Sequence, residues 1–160
     1  MKTQTTAPAG VLQNAAAKSA MAVPEPIGRL SGDDVEVSGA ATFNVESGRS
    51  SAMLASGSEV TVRSGQAKVS LVEGGEIAIC GPAHLSLLKS GNAITLALDY
   101  GRVHPQLNSD VSLMVYTPLI VATGVPVAQQ PSDITVGLDV QGEMCALADR
   151  GAVRIAQQLS

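Results

Sequence analysis

The fold class is decided by residues 54–103, which read LASGSEVTVRSGQAKVSLVEGGEIAICGPAHLSLLKSGNAITLALDYGRV. Glycine interrupts this stretch at almost regular intervals, and apolar residues alternate with polar ones between the interruptions. Such alternation places one face of a strand on a core and the other toward water. Ser64–Gly65 and Gly74–Gly75 read as short links between strands, because glycine supplies the positive φ of a tight hairpin turn. The stretch therefore predicts short antiparallel strands.

The same period of two continues on both sides of this stretch. We count about ten such strands with no helical segment between them. The sequence predicts an all-β fold of mostly antiparallel short strands in two packed sheets, either a β-sandwich or a short β-roll. Gly124–Ser132 breaks the rhythm with two prolines and predicts a longer loop. The alternating apolar residues outside the central stretch are Val35, Val37, Val111, Leu113, Val115, Ile134, Val136, Leu138, Val140, Val153 and Ile155.

The chain of 160 residues is long enough for one domain with a core. Residues 1–27 are rich in Ala, Thr, Gln and Pro and predict a flexible tail, and residues 28–160 form the predicted β domain. Within the tail only Leu12–Met21 has helical propensity. Polar residues at 13, 14 and 18 interrupt any hydrophobic region of a signal peptide. No apolar run approaches the roughly 20 residues of a membrane helix, so we expect a soluble chain without an export signal.

Composition excludes several classes of partner. The net charge is −4 and the ten Lys and Arg residues form no basic stripe, which argues against nucleic-acid binding. Aromatic residues make up 2% of the chain, and they are Phe43, Tyr100 and Tyr116. That scarcity also argues against binding sugars or single strands by stacking.

Cys80 and Cys145 lie far apart in the sequence and fit no metal or redox spacing. Both sit in apolar stretches, which favours two small buried thiols. A disulfide between them is the alternative, and it requires neighbouring strands and an oxidising compartment.

No residue pattern predicts catalysis, a cofactor or a metal site. His84 and His104 are the only histidines, no HxH or HExxH motif includes them, and we expect both on a strand surface or loop edge. Asp33, Asp34 and Glu36 could bind calcium, but their spacing does not match the EF-hand loop and a solvated strand entry is favoured. No serine lies in a GxSxG elbow, and no glycine-rich phosphate loop occurs.

The order of several segments resembles the FecR-like domain. The likeness covers roughly residues 31–157 and consists of V-x-V or L-x-L strands, glycine at the turns, and a T-P pair after a G-x-V strand. The segments that carry it are 54–62, 64–71, 74–79, Leu85 with Leu87, 94–98 leading into Gly101-Arg102-Val103, Thr117-Pro118, and the closing DRGAVRI at 149–155.

The resemblance implies a non-enzymatic module for signal transduction by protein binding. Members of the family are similar to extracytoplasmic sensing domains that pass a ferric citrate signal between an outer-membrane transporter and a sigma factor, which implies iron-responsive regulation and a periplasmic location. This chain departs from those regulators: it lacks their N-terminal anti-sigma region and membrane helix, and Thr123–Pro126 stands where a Gly-Thr-x-Phe type segment is common.

Two further hypotheses compete with that implication. A structural β protein that self-assembles edge to edge would also use a short-strand architecture with uncharged edges. A jelly-roll enzyme is the third possibility. The protein partner, the compartment and the oligomeric state are open at the level of sequence.

Overall fold

The computed structural model describes residues 23–46 and 49–158, and the described part contains nine strands and no helix. All nine belong to one hydrogen-bonded sheet of mixed, mostly antiparallel character, which confirms the all-β and mostly antiparallel part of the predicted fold class. The strands are β1 Pro26–Glu46, β2 Arg49–Leu71, β3 Gly75–Ser90, β4 Ala93–Leu107, β5 Ser112–Tyr116, β6 Ile120–Val125, β7 Ser132–Leu138, β8 Met144–Arg150 and β9 Ala152–Gln157.

The sheet begins as a meander and then branches. Strands β1 to β4 pair in sequence order and antiparallel. The first part of β4, Ala93–Ala97, pairs in parallel with β5, and its second part, Gly101–Leu107, pairs antiparallel with β7. One branch continues from β5 to β6 and β9, and the other from β7 to β8. The strands thus form one connected sheet, and a division into two packed sheets stays a prediction.

The first four strands are long, so the prediction of short strands is wrong for this part of the chain. β1 and β2 contain 21 and 23 residues, and β3 and β4 contain 16 and 15. Ser64–Gly65, predicted as a hairpin link, lies inside β2. The β2–β3 pairing is interrupted there, between Val62 and Gln66. Gly65 has φ +74°, and at this position it bends a strand that continues and does not reverse it.

Two of the other glycine breaks are true connections. Gly74, with φ +89°, ends the link of residues 72–74 between β2 and β3, and Gly75, with φ +91°, begins β3. Gly91–Asn92 forms the turn between β3 and β4. Residues 126–131 connect β6 and β7, which confirms the loop predicted over Gly124–Ser132.

The core consists of branched aliphatic side chains on one face of the sheet. Along β3 and β4 every second residue is buried, as predicted, except for one interruption in each strand, between Ile79 and Ala83 on β3 and between Leu98 and Val103 on β4. Burying a side chain of this size contributes about 1.5–3 kcal/mol. Val140 and Ile155 depart from the prediction and are 79% and 52% exposed, because Val140 lies in the turn after β7 and Ile155 on the outermost strand β9. The largest fully buried side chains are Ile27, Leu54, Val60, Ile77, Ile79, Leu85, Leu87, Ile94, Leu96, Leu98, Leu113 and Ile134.

The ordered sheet begins before the predicted boundary between residues 27 and 28. Strand β1 starts at Pro26, and Ile27 is fully buried. The backbone is anchored further back still, because Ser56 N donates to Glu25 O at 2.8 Å. The possible helix over Leu12–Met21 lies outside the described residues. Within the described residues, no helix has the length and apolarity needed to cross a membrane.

Candidate functional site

The outer face of β3, β4, β7 and β8 brings the chemically distinctive residues of the chain together. Cys80 pairs with Arg102, Arg102 with Gly137, and Gly137 with Cys145, so these four residues form one row across four strands. Residues directly opposite each other share a face of the sheet. The adjacent residues Ile79, Val103 and Val136 are fully buried on the other face. The row therefore lies on the face away from the core.

This placement decides between the two interpretations of the cysteines. Three strand spacings of about 4.8 Å put the two Cα atoms roughly 14 Å apart, whereas a disulfide requires less than about 7 Å. Both thiols are free, Cys80 half-buried and Cys145 exposed. The disulfide alternative is therefore excluded. The prediction of two buried thiols is wrong in their burial, because both residues occupy the outward phase of their strands.

A cleft of about 600 Å³ lies beside the row of four residues. Its lining includes Cys80, Cys145, Arg102, Tyr100 and Glu143. Gly137 leaves room for the Cys145 side chain, since a Cβ there would lie 2.9 Å from Cys145 Sγ. The cleft lining thus contains two cysteines and an arginine.

His84, on β3 next to the interruption of the β3–β4 pairing between Cys80 and His84, lies between two carboxylates from neighbouring strands. Its Nε2 is 2.5 Å from Glu59 Oε1 on β2, and its Nδ1 is 2.5 Å from Asp99 Oδ2 on β4. The ring stacks on Tyr100 with centroids 6.2 Å apart. The carboxylates approach opposite nitrogens of one ring, so they cannot chelate a single ion together with that ring.

The environment of His84 favours its charged form. Desolvation is the largest single influence and lowers the pKa of His84, since burial disfavours a cation. Hydrogen bonds to Asp99 and Glu59, with the attraction of their negative charges, together outweigh it and raise the pKa above the ordinary value of 6.5. A protonated ring donates from both nitrogens and a neutral ring from only one. Both contacts are therefore satisfied at once only in the imidazolium form.

His104, on β4, has a different arrangement, with two carboxylates close to the same nitrogen. Its Nε2 is hydrogen-bonded to Asp133 Oδ1 on β7 and lies 3.9 Å from Asp149 Oδ2 on β8. One ligand atom from each side chain lies within 4.8 Å of the other two. Among the described residues this is the one group of three or more His, Cys, Asp or Glu side chains with such spacing.

The strand register explains why these three side chains meet. Asp133 lies directly opposite Gln106 on β4, and His104 is one diagonal position away on the same face. The β7–β8 register shifts next to Asp133, which leaves Asp149 as the extra residue of a bulge. Bulges commonly re-aim side chains in this way.

The acidic segment considered for calcium does not converge on a site. Glu36 Oε2 lies 2.5 Å from Arg63 Nη2, and both side chains are 63% exposed. Asp34 Oδ2 accepts a hydrogen bond from Ser64 Oγ at 3.1 Å, and Asp33 is exposed. The predicted solvent exposure is confirmed for Asp33 and Glu36. The predicted position at a strand entry is wrong, because β1 begins at Pro26 and these residues lie in its interior, where the β1–β2 register shifts between Gly32 and Val35.

Sequence reasoning missed both histidine clusters. The partners of His84 are 25 and 15 residues away in the sequence, and Asp133 is 29 residues from His104. No short motif encodes such distances, since they depend on the pairing register. The only sequence signal is that each histidine occupies an outward position of an alternating strand.

Comparison with known proteins assigns no family to the chain: no family model, no curated protein and no solved structure matches it. The functional implications of the FecR-like resemblance remain a proposal.

Proposed function

We propose that the chain is a non-enzymatic FecR-like β module that acts in signalling or sensing by binding a protein partner along the free edge of β9. The observation that carries the proposal is the pairing of β9, which among the described strands bonds to β6 alone. An unpaired strand edge is a template for a strand from another chain. Periplasmic location and iron-responsive signalling belong to the proposal through the resemblance, as does a fold of two packed layers.

The hydrogen-bonding phase of β9 identifies the backbone groups that face a partner. Gln158 N donates to Leu119 O at 3.0 Å, so the backbone groups of Gln158 face the side of β6. Bonded pairs alternate along an antiparallel ladder, and the β6–β9 register runs without a shift. Arg154 and Ala156 therefore bond to β6. The N–H and C=O groups directed toward the free edge belong to Val153, Ile155 and Gln157.

The edge of β9 is less protected than the other edges. Charged side chains discourage a second strand, and the outer edge of β1 carries Asp34 and Glu36 while β8 ends in Asp149 and Arg150. The six residues of β9 contain a single charge, Arg154.

An apolar side chain accompanies these backbone groups. Ile155 is 52% exposed and lies opposite the fully buried Ala122 of β6. A partner strand would cover Ile155 and extend the core past the present edge of the sheet. Main-chain bonds would then supply affinity and the Ile155 side chain would supply specificity.

The test compares binding of candidate partners to the unchanged chain and to three variants. The candidates are the proteins encoded beside its gene, in particular a sigma-factor regulator and an outer-membrane receptor. Ile155→Pro removes an outward N–H without removing a bond to β6, and proline is tolerated on strand edges. We expect at least a tenfold loss of affinity by biolayer interferometry, and a smaller loss for Ile155→Ala, which keeps the N–H.

Leu147→Ala serves as the matched control, because Leu147 is a 58% exposed aliphatic residue on a different strand. The Leu147→Ala variant should bind each partner with the affinity of the unchanged chain. Equal binding by Ile155→Pro would refute the β9 edge as the contact. Failure of every neighbouring gene product to bind would refute the signalling role.

Self-assembly through the same edge is the second candidate, and the exposed Ile155 on an unpaired strand is the observation that favours it. Size-exclusion chromatography with light scattering separates the two. A mass that rises with concentration and returns to that of a monomer in Ile155→Pro would support self-assembly. A monomer at every concentration would exclude it.

A further inference from the structure

We propose that His104, Asp133 and Asp149 form a binding site for a divalent transition-metal ion of the zinc class. The three side chains come from three adjacent strands, β4, β7 and β8. They offer one imidazole nitrogen and two carboxylate oxygens, which are ligands that zinc accepts at about 2.0–2.2 Å. The site is independent of the β9 edge and of any signalling role.

The spacing of the ligand atoms suits one ion. Ligands bound at such lengths lie roughly 3–4 Å from one another. The separation between His104 Nε2 and Asp149 Oδ2 is 3.9 Å, and all three ligand atoms lie within 4.8 Å of one another. His104 and Asp133 are now joined by a hydrogen bond. A metal ion would replace the proton of that bond, and the two atoms would separate to coordination distance.

The charge of the cluster also favours a cation. Two carboxylates meet at one imidazole, and within the described residues no Lys or Arg nitrogen lies within 4 Å of Asp133 or Asp149. A dication would neutralise both carboxylates at once. Asp133 is the anchor of the site, because its side chain is 16% exposed while that of Asp149 is 44% exposed.

A neighbouring amide holds the anchoring carboxylate in place. Gln106 Nε2 donates to Asp133 Oδ2 at 3.2 Å, which leaves Oδ1 directed at His104. Hydrogen bonds of this kind orient metal ligands, and removing them typically costs about 10–100-fold in affinity. Gln106 is therefore a positioning residue for the site.

The donor set selects the class of metal. Calcium and magnesium prefer oxygen ligands alone, and calcium takes about six to eight of them. An imidazole with two carboxylates suits zinc and its neighbours. Three protein ligands leave one tetrahedral position for water or another ligand. The exposed position of Asp149 gives solvent access to that fourth position.

The experiment is a zinc titration of the full chain by isothermal calorimetry, with Cys80 and Cys145 both replaced by serine so that thiols do not compete. We expect one equivalent of Zn²⁺ to bind and Ca²⁺ to bind at least 100-fold more weakly. Asp149→Asn should lower zinc affinity at least tenfold, and Gln106→Ala should lower it by about 10–100-fold. Circular dichroism establishes that each variant is folded.

The other histidine cluster provides the matched control. His84 also has two carboxylates, but on opposite ring nitrogens, so His84→Ala should leave zinc affinity unchanged while His104→Ala abolishes it. A direct readout is the imidazole ¹⁵N spectrum, in which zinc should shift Nε2 of His104. Absence of zinc binding, an equal loss in His84→Ala, or an unshifted His104 nitrogen would each overturn the proposal.

Discussion

Replacing Lys89 by methionine should destabilise the protein by about 2–3 kcal/mol, because it breaks an ion pair that is largely removed from water. The Lys89 side chain is 5% exposed, and its Nζ donates to Glu73 and, at 3.0 Å, to the carbonyl oxygen of Pro26. Among the residues that the structure describes, Glu73 Oε2 already has no hydrogen-bond partner. Methionine keeps most of the aliphatic stem but leaves the whole carboxylate without a donor.

The magnitude follows from burial. Breaking a buried ion pair typically costs about 3–5 kcal/mol. The Glu73 side chain is 24% exposed, so water reaches part of it and reduces the cost below that range. The double variant Lys89→Met/Glu73→Leu removes both charges and should recover at least half of the loss, since no unpaired carboxylate remains. Urea unfolding at pH 7 measures the free energies of unfolding of the unchanged chain, Lys89→Met and the double variant.

Lys68→Met is the control, because Lys68 pairs with Glu76 at 3.2 Å in an exposed position, with side chains 51% and 36% exposed. Such pairs contribute about 0–1 kcal/mol. Equal effects of Lys89→Met and Lys68→Met would refute the claim that the first pair is removed from water. A double variant no more stable than Lys89→Met would refute the claim that the unpaired carboxylate causes the loss.

Three further predictions concern the core and the outer face. The pKa of His84 is raised in the folded state, so its stabilisation should be complete below about pH 6.5 and be lost as pH rises through the folded pKa. Urea unfolding from pH 5.5 to 8.5 should show this loss of stability. If His84→Gln shows the same dependence of stability on pH as the unchanged chain, the loss does not come from His84. Leu85→Ala should lower the free energy of unfolding by about 2–5 kcal/mol in the same assay, because Leu85 is fully buried. Leu88→Ala should change it by no more than about 0.5 kcal/mol, because Leu88 is 55% exposed. Equal losses would contradict the assignment of these residues to opposite faces of β3. Thiol reagents should modify Cys145 faster than Cys80, because Cys145 is exposed and Cys80 is half-buried. If mild oxidation yields a monomer that is two hydrogens lighter and has no reactive thiol, the two cysteines have formed a disulfide, which would contradict their separation.

The sequence predicted the strand phase because alternation is a local property. Val60 and Val62 on β2, and Ile77 and Ile79 on β3, are fully buried as their spacing predicts. The bends were not predictable from the same pattern. A glycine with positive φ, such as Gly65, serves a turn or a bend equally well, and the choice depends on whether the neighbouring strands keep pairing beyond it.

The histidine clusters depended on information absent from any local pattern. His104 meets Asp133 and Asp149 because the β4–β7 register and the bulge of β8 place them on one diagonal. A shift of one residue in either register would turn the side chains of a strand to opposite faces. Composition and local motifs therefore could not show that these three side chains lie together, because their meeting depends on long-range strand pairing.

The most direct test of recognition through the β9 edge is amide hydrogen exchange of the chain with and without a bound partner from a neighbouring gene. In the free protein, the outward amides of Val153, Ile155 and Gln157 should exchange quickly, and those of Arg154 and Ala156, which bond to β6, slowly. Binding should protect the three outward amides. Binding that leaves them in fast exchange would contradict the β9 edge as the site of recognition.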